Sequence, residues 1–147
     1  MKSPSDKQIA IDLGNSRAKM MTPDGSSFSV EYSHGWAESA AEFISAHSPL
    51  AAGISSVSYV RYEQLLAAIS NSSIKKYDAA EMLADTRLIC WKHIEGAGAD
   101  RILGMIGANA IFPPPLITID CGTAITINAM DGNIVFAGGA IMPELAT

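Results

Sequence analysis

Apolar residues recur along this chain in short blocks, first at every second position and later at every third or fourth. Ile9-Ala10-Ile11 with Leu13 forms a compact apolar run, so residues 8–13 are expected to make a buried strand. Residues 16–22 predict a second strand, and Pro23-Asp24-Gly25-Ser26 a turn. Phe28, Val30 and Tyr32 alternate with Ser29 and Glu31, the period of a half-buried third strand. The spacing then changes. Trp36, Ala40, Phe43 and Ile44 predict a helix over 36–46, Ala51 to Val57 a strand, and Tyr62, Leu65, Leu66 and Ile69 a second helix. Ala79 to Leu83 suggests a short helix and Arg87 to Trp91 a strand. Ile102, Leu103, Ile106 and Ala110 make the apolar stripe of a further helix, stopped by Pro113-Pro114-Pro115. A new strand is expected at 116–120. Met130-Asp131-Gly132-Asn133 is a hairpin signal, Ile134 to Ala137 the returning strand, Gly138-Gly139 a tight passage, and Pro143 the first residue of a helix.

One device occurs twice in this pattern. Asp12-Leu13-Gly14-Asn15-Ser16 and Asp120-Cys121-Gly122-Thr123-Ala124 each follow an apolar strand and precede another strand-like run. Glycine lets the backbone approach an oxyanion without a Cβ in the way. The N–H and hydroxyl groups that follow can donate to phosphate oxygens, and the Asp lies where a cation would neutralise them. A single Asp-x-Gly also marks ordinary turns. Two copies in matching contexts suggest two related lobes closing on one nucleotide. Arg17 and Lys19 follow the first copy on one strand face, either reaching phosphate or standing as solvated strand charges.

Composition narrows the class. With 147 residues, 48% hydrophobic and 17% charged, the chain is globular, holding one domain or one and part of a second. Its net charge of −5 and lone basic pair, Lys75-Lys76, give no electrostatic footprint for nucleic acid. Bound nucleotide would need local backbone donors and cations. Residues 1–7 contain no signal-peptide core, and no apolar run approaches the ~18 residues of a membrane span, so a cytoplasmic protein is expected. Cys90 and Cys121 lack metal or redox spacing and are expected to be small buried hydrophobes in a reducing compartment.

The segment Glu95-Gly96-Ala97-Gly98-Ala99-Asp100-Arg101 has the glycines of a dinucleotide fingerprint, but Arg101 occupies the third glycine position. A carboxylate is favourable at a helix N-terminus, which alone accounts for Asp100. Arg101 beside it fits a guanidinium offered to an anionic substrate, with Asp100 as general base for a hydroxyl. Trp91 is either core or a substrate-facing aromatic. His34, His47 and His93 lack ligand spacing, and Gly104-Met105-Ile106-Gly107 lies inside a helical stripe where packing explains it.

Taken in order, Asp12 to Ser16, Ser55-Ser56-Val57, Gly98 to Arg101, Asp120 to Ala124 and Gly138-Gly139-Ala140-Ile141-x-Pro143 resemble the type III pantothenate kinases. These belong to the superfamily of acetate and sugar kinases, heat-shock ATPases and actin, and some were also called Bvg accessory factors. The resemblance implies an α/β fold: a ribonuclease H-like first lobe over residues 1–115, in the order βββαβαβα, and the opening strands of a duplicated second lobe over 116–147. It implies ATP-dependent phosphorylation of pantothenate, the first step towards coenzyme A, by a homodimer. Asp12, Leu13, Gly14, Asn15, Ser16, Arg17, Ala18 and Lys19 would form the first phosphate segment, with Asp12 holding Mg²⁺. Trp91, Gly98, Ala99, Asp100 and Arg101 would contact pantothenate, Asp100 accepting the hydroxyl proton and Arg101 binding the carboxylate. Asp120 would serve a monovalent cation (K⁺ or NH4⁺), and Gly122 and Thr123 would contact ATP phosphate. The sequence departs from the family pattern at Trp91, usually Tyr, at Ile94, often Pro, and at Glu144, expected Gly. Family members extend further and complete the second lobe there. Two other readings are a non-catalytic nucleotide-binding or regulatory relative and a kinase of another small molecule.

Overall fold

The computed structural model describes residues 7–91 and 96–143, which form two compact units, one up to Leu83 and one from Ala84. The expectations for His93, Ile94, Glu95 and Glu144 fall outside these residues.

The first unit is a mixed α/β layer built on a five-stranded sheet. Strands β1 (Gln8–Leu13), β2 (Arg17–Met21) and β3 (Ser27–Glu31) form an antiparallel meander. After helix α1 (Trp36–His47), β4 (Ala51–Ser56) returns parallel to β1. Helix α2 (Tyr59–Ala68) crosses over to β5 (Lys75–Asp78), parallel to β4, and α3 (Ala79–Ala84) follows. The sheet order is β3-β2-β1-β4-β5. Strand alternation sends Ile9, Ile11, Leu13, Ala18, Met20, Ala52 and Ile54 to one face, where Trp36, Ala40, Ile44 and Leu65 of the two helices cover them. Gln8, Ala10, Asp12, Lys19 and Met21 take the other face. Ser58 caps α2 by accepting the Arg61 N–H at 3.5 Å, so the helix starts before the Tyr62 expected from its apolar stripe.

The second unit is an antiparallel meander of β6 (Leu116–Cys121), β7 (Ala124–Met130) and β8 (Phe136–Pro143), with α4 (Ala99–Asn109) against β6 and β7. Ile102 and Met105 of α4 are buried, as are Met130 and Phe136.

Four expectations need correction. Residues 87–91 do not form a strand: Cys90 makes one isolated bridge with Val135, closed by Cys90 N–H to Ile134 O and Phe136 N–H to Cys90 O. The strand that precedes the short helix is β5 instead, and its Asp78 carboxylate caps α3 by accepting from the N–H groups of Ala80 and Glu81 at 2.7 and 3.1 Å. Gly138-Gly139 is not a passage, because β8 runs through both glycines, and Pro143 ends that strand. Cys90 and Cys121 are free but exposed rather than buried.

Candidate functional site

The two Asp-x-Gly turns share one construction. β1 and β2 are joined through Gly14 to Ser16, and the Gly14 N–H donates to Arg17 O at 3.2 Å. β6 and β7 are joined through Gly122 and Thr123, and the Gly122 N–H donates to Ala124 O at 3.1 Å. In each, the glycine closes back onto the first residue of the next strand, and the carboxylate lies two residues before it on the preceding strand.

Asp12 is half-buried and stands opposite Lys19 on β2 and Ser55 on β4, so a carboxylate, an ammonium group and a largely buried hydroxyl share one stretch of the sheet's outer face. Arg17 is drawn aside into an exposed ion pair with Glu31 at 2.9 Å, a contact worth little in solvent. Ala18 is fully buried in the core face and supports the turn only from beneath. Leu13 is likewise buried, while Asn15 and Ser16 are exposed.

Tyr32 closes the turn from just past the third strand: its hydroxyl donates to Gly14 O at 3.0 Å and its N–H to Ser16 O at 3.4 Å. Burial pushes the Tyr32 phenol above its ordinary pKa, the Arg61 guanidinium works against that shift, and the Asp12 carboxylate adds to it. A separate cavity of about 600 Å³ lies at the opposite end of β1, lined by groups such as Ala10, Met21 and Met82, and it lacks these donors.

In the second unit, Gly98 is the N-cap of α4, which puts Asp100 and Arg101 within its first turn. The Asp100 carboxylate folds over Gly98, whose absent Cβ would collide with Asp100 Oδ1. Arg101 is tied to a residue that the sequence did not single out. Its Nε donates to Asn128 Oδ1 at 2.6 Å, and Asn128 Nδ2 donates to Thr118 Oγ1 at 3.3 Å. Asn128 is almost wholly buried on β7, so its amide has little freedom to release the guanidinium. Gly139 completes the seat. A Cβ there would come within 2.6 Å of Arg101 Nη2 and would also strike Ile127 O. The guanidinium stands 5.6 Å from the Phe136 ring centroid. Only the glycine pair gave a signal in the sequence, and Asn128 gave none.

Ala99 opens α4, and Asp120, Gly122 and Thr123 are exposed at the β6–β7 turn. Trp91 is half-buried with its indole N–H enclosed and without a partner among the described residues, neither a full core residue nor an open one. His47 is structural: Nδ1 lies 2.9 Å from Phe43 O and the ring packs on Phe43.

Among the described residues, no group of three or more His, Cys, Asp or Glu side chains could cage a metal. Mg²⁺ does not need such a cage, since it is commonly held by one or two carboxylates, water and phosphate oxygens. Asp12 beside a turn of backbone donors fits that mode, and exposed Asp120 offers the oxygen donors that an alkali cation takes.

The fold is that of a mixed α/β protein carrying an Asp-x-Gly turn in each unit, and comparison with known proteins gives the family. The type III pantothenate kinase family model matches residues 8–147, and the chain belongs to that family. It is 29% identical over 148 residues to the type III pantothenate kinase of Dichelobacter nodosus, a match covering 93% of this chain and 59% of that protein. Shorter matches of 51% over 47 residues and 48% over 50 residues reach the type III pantothenate kinases of Rhodospirillum centenum and Herminiimonas arsenicoxydans. These cover 32% and 33% of this chain, and 18% and 19% of the relatives. The chain therefore spans less than two thirds of the length of the curated relatives it matches. Among the described residues no helix is long and apolar enough to cross a membrane.

Proposed function

We propose that the protein phosphorylates the primary hydroxyl of pantothenate with ATP, giving phosphopantothenate, the first step of coenzyme A biosynthesis. The observation that carries this reading is the Arg101 guanidinium held by Asn128, with Asp100 beside it in the first turn of α4, in a chain of this family. Pantothenate carries both groups that such a pair recognises, a hydroxyl that must lose a proton and a carboxylate. A neutral sugar would not need Arg101.

Phosphoryl transfer is mostly positioning and electrostatics, so the residues act by holding groups and charges in place. Residues 12–19 would cradle ATP phosphate through the backbone of Gly14 to Ser16, with Lys19 as a nearby charge. Asp12 would hold Mg²⁺, which when bound neutralises phosphate charge. Gly122 and Thr123 would contact ATP phosphate, with Asp120 serving K⁺ or NH4⁺. Asp100 would take the hydroxyl proton late, and Arg101 would hold the carboxylate, with Trp91, Gly98 and Ala99 lining the substrate. The sheet order β3-β2-β1-β4-β5, with two antiparallel and two parallel pairings, supports a ribonuclease H-like first lobe. The β6–β8 meander with its repeated turn supports the opening of a duplicated one. A cytoplasmic homodimer completes the reading.

Arg101→Lys tests the substrate assignment in protein expressed from the complete reading frame. Lysine keeps the charge but loses the planar fork. Loss of one charge-assisted bond should raise the Michaelis constant for pantothenate roughly ten- to hundredfold. Binding of a pantothenamide, which lacks the carboxylate, should weaken much less. Equal losses for the two would mean that Arg101 holds the loop or phosphate instead.

A further inference from the structure

We propose that Arg61 is a positioning residue for the first phosphate turn: with Tyr32 it pins the Gly14 carbonyl, and so aims the Asn15 N–H outward at an anionic phosphate. The proposal rests on the reading of residues 12–19 as a phosphate seat. Arg61 belongs to α2, far from the turn in sequence, and no motif drew attention to it.

Its placement follows from the junction of β4 and α2. Val57 N–H donates to Leu13 O at 3.1 Å, which ties the end of β4 to the end of β1. Ser56 Oγ donates to Ser58 O at 2.8 Å, and Ser58 caps the helix. From that fixed start the Arg61 guanidinium lies over the Tyr32 ring, 3.8 Å from its centroid, and Nη1 donates to Gly14 O at 2.8 Å. The Tyr32 hydroxyl donates to the same oxygen at 3.0 Å. Tyr32 is itself held, edge-on against Trp36 with centroids 4.9 Å apart, and Trp36 Nε1 donates to Gln64 Oε1 of α2 at 3.3 Å. Helix α2 thus grips the turn both directly and through two aromatics packed edge to face.

The consequence follows from peptide geometry. A trans peptide is planar, so the Gly14 C=O and the Asn15 N–H point in opposite directions, and fixing one aims the other. Two donors on one carbonyl also polarise that peptide and strengthen its N–H as a donor. Among the described residues no acceptor takes the Asn15 N–H, and Asn15 is exposed. The guanidinium also adds a positive charge beside a turn whose flanking carboxylate, Asp12, would otherwise repel phosphate.

Isothermal titration of the complete protein with ADP and Mg²⁺, well below the melting temperature, tests this through Arg61→Met, Arg61→Lys and Tyr32→Phe. Arg61→Met should weaken ADP binding roughly tenfold, the loss of one charge-assisted bond. Arg61→Lys, which keeps charge and one donor, should recover most of it. Tyr32→Phe keeps the ring beneath the guanidinium and loses one neutral bond, so about a two- to fivefold loss is expected. In steady state, Arg61→Met should raise the Michaelis constant for ATP and leave that for pantothenate unchanged, a split that general destabilisation would not produce. ADP affinity equal to the parent protein's in Arg61→Met would overturn the proposal. A parent protein that binds ADP but phosphorylates no pantothenate would overturn the functional reading alone, and one that binds no ADP would overturn both.

Discussion

Asp12→Asn is expected to abolish Mg²⁺-dependent phosphoryl transfer while leaving the fold standing. Asparagine matches the shape of aspartate, and β1 is anchored by Ile9, Ile11 and Leu13 on its other face, all at most 3% exposed. The substitution removes the one carboxylate at the end of β1, beside Lys19 and Ser55. A group that holds Mg²⁺ through a single carboxylate has nothing to replace it there. Coupled ADP assays over a Mg²⁺ titration give the check, alongside a thermal melt. Unchanged turnover would refute the role of Asp12. A collapsed melting temperature would show that Asp12 serves the sheet.

Asp100→Asn should act differently, lowering kcat by about two to four orders of magnitude, the range for loss of a general base. The amide fits the same space over Gly98 and keeps a polar contact for the hydroxyl, so the Michaelis constant for pantothenate should change little. Loss confined to turnover identifies a group needed at the proton, whereas a raised Michaelis constant with intact kcat would make Asp100 a binding group only.

How much of this was legible in the sequence depends on how local the cause was. β1, β2, β3, α1 and β4 follow from apolar periodicity, and both Asp-x-Gly turns from composition and order. β5 was hidden because Lys75-Lys76-Tyr77-Asp78 is polar: it is an edge strand, paired on one side only, so it needs little apolar surface. Leu88-Ile89-Cys90 misled in the opposite sense. Its apolar run buries Ile89, yet the backbone pairs at one bridge only.

Gly138-Gly139 suggests a tight passage because glycine weakens strands, but at Gly139 the strand needs the missing Cβ to pass Ile127 and Arg101. The contacts that orient the site were beyond reach. Arg101 meets Asn128 27 residues away, and Arg61 meets Gly14 47 residues away, across pairings that no local pattern encodes.

The most direct measurement offers ATP and Mg²⁺ to protein from the complete reading frame with pantothenate, acetate or a neutral sugar as acceptor. ADP release is followed, and the product is identified by phosphorus NMR. Pantothenate alone should support turnover, and the new phosphate ester should lie on its primary hydroxyl. Turnover with the sugar or acetate but not with pantothenate would contradict the substrate assignment, and nucleotide binding without transfer to any acceptor would make this a non-catalytic member of its family.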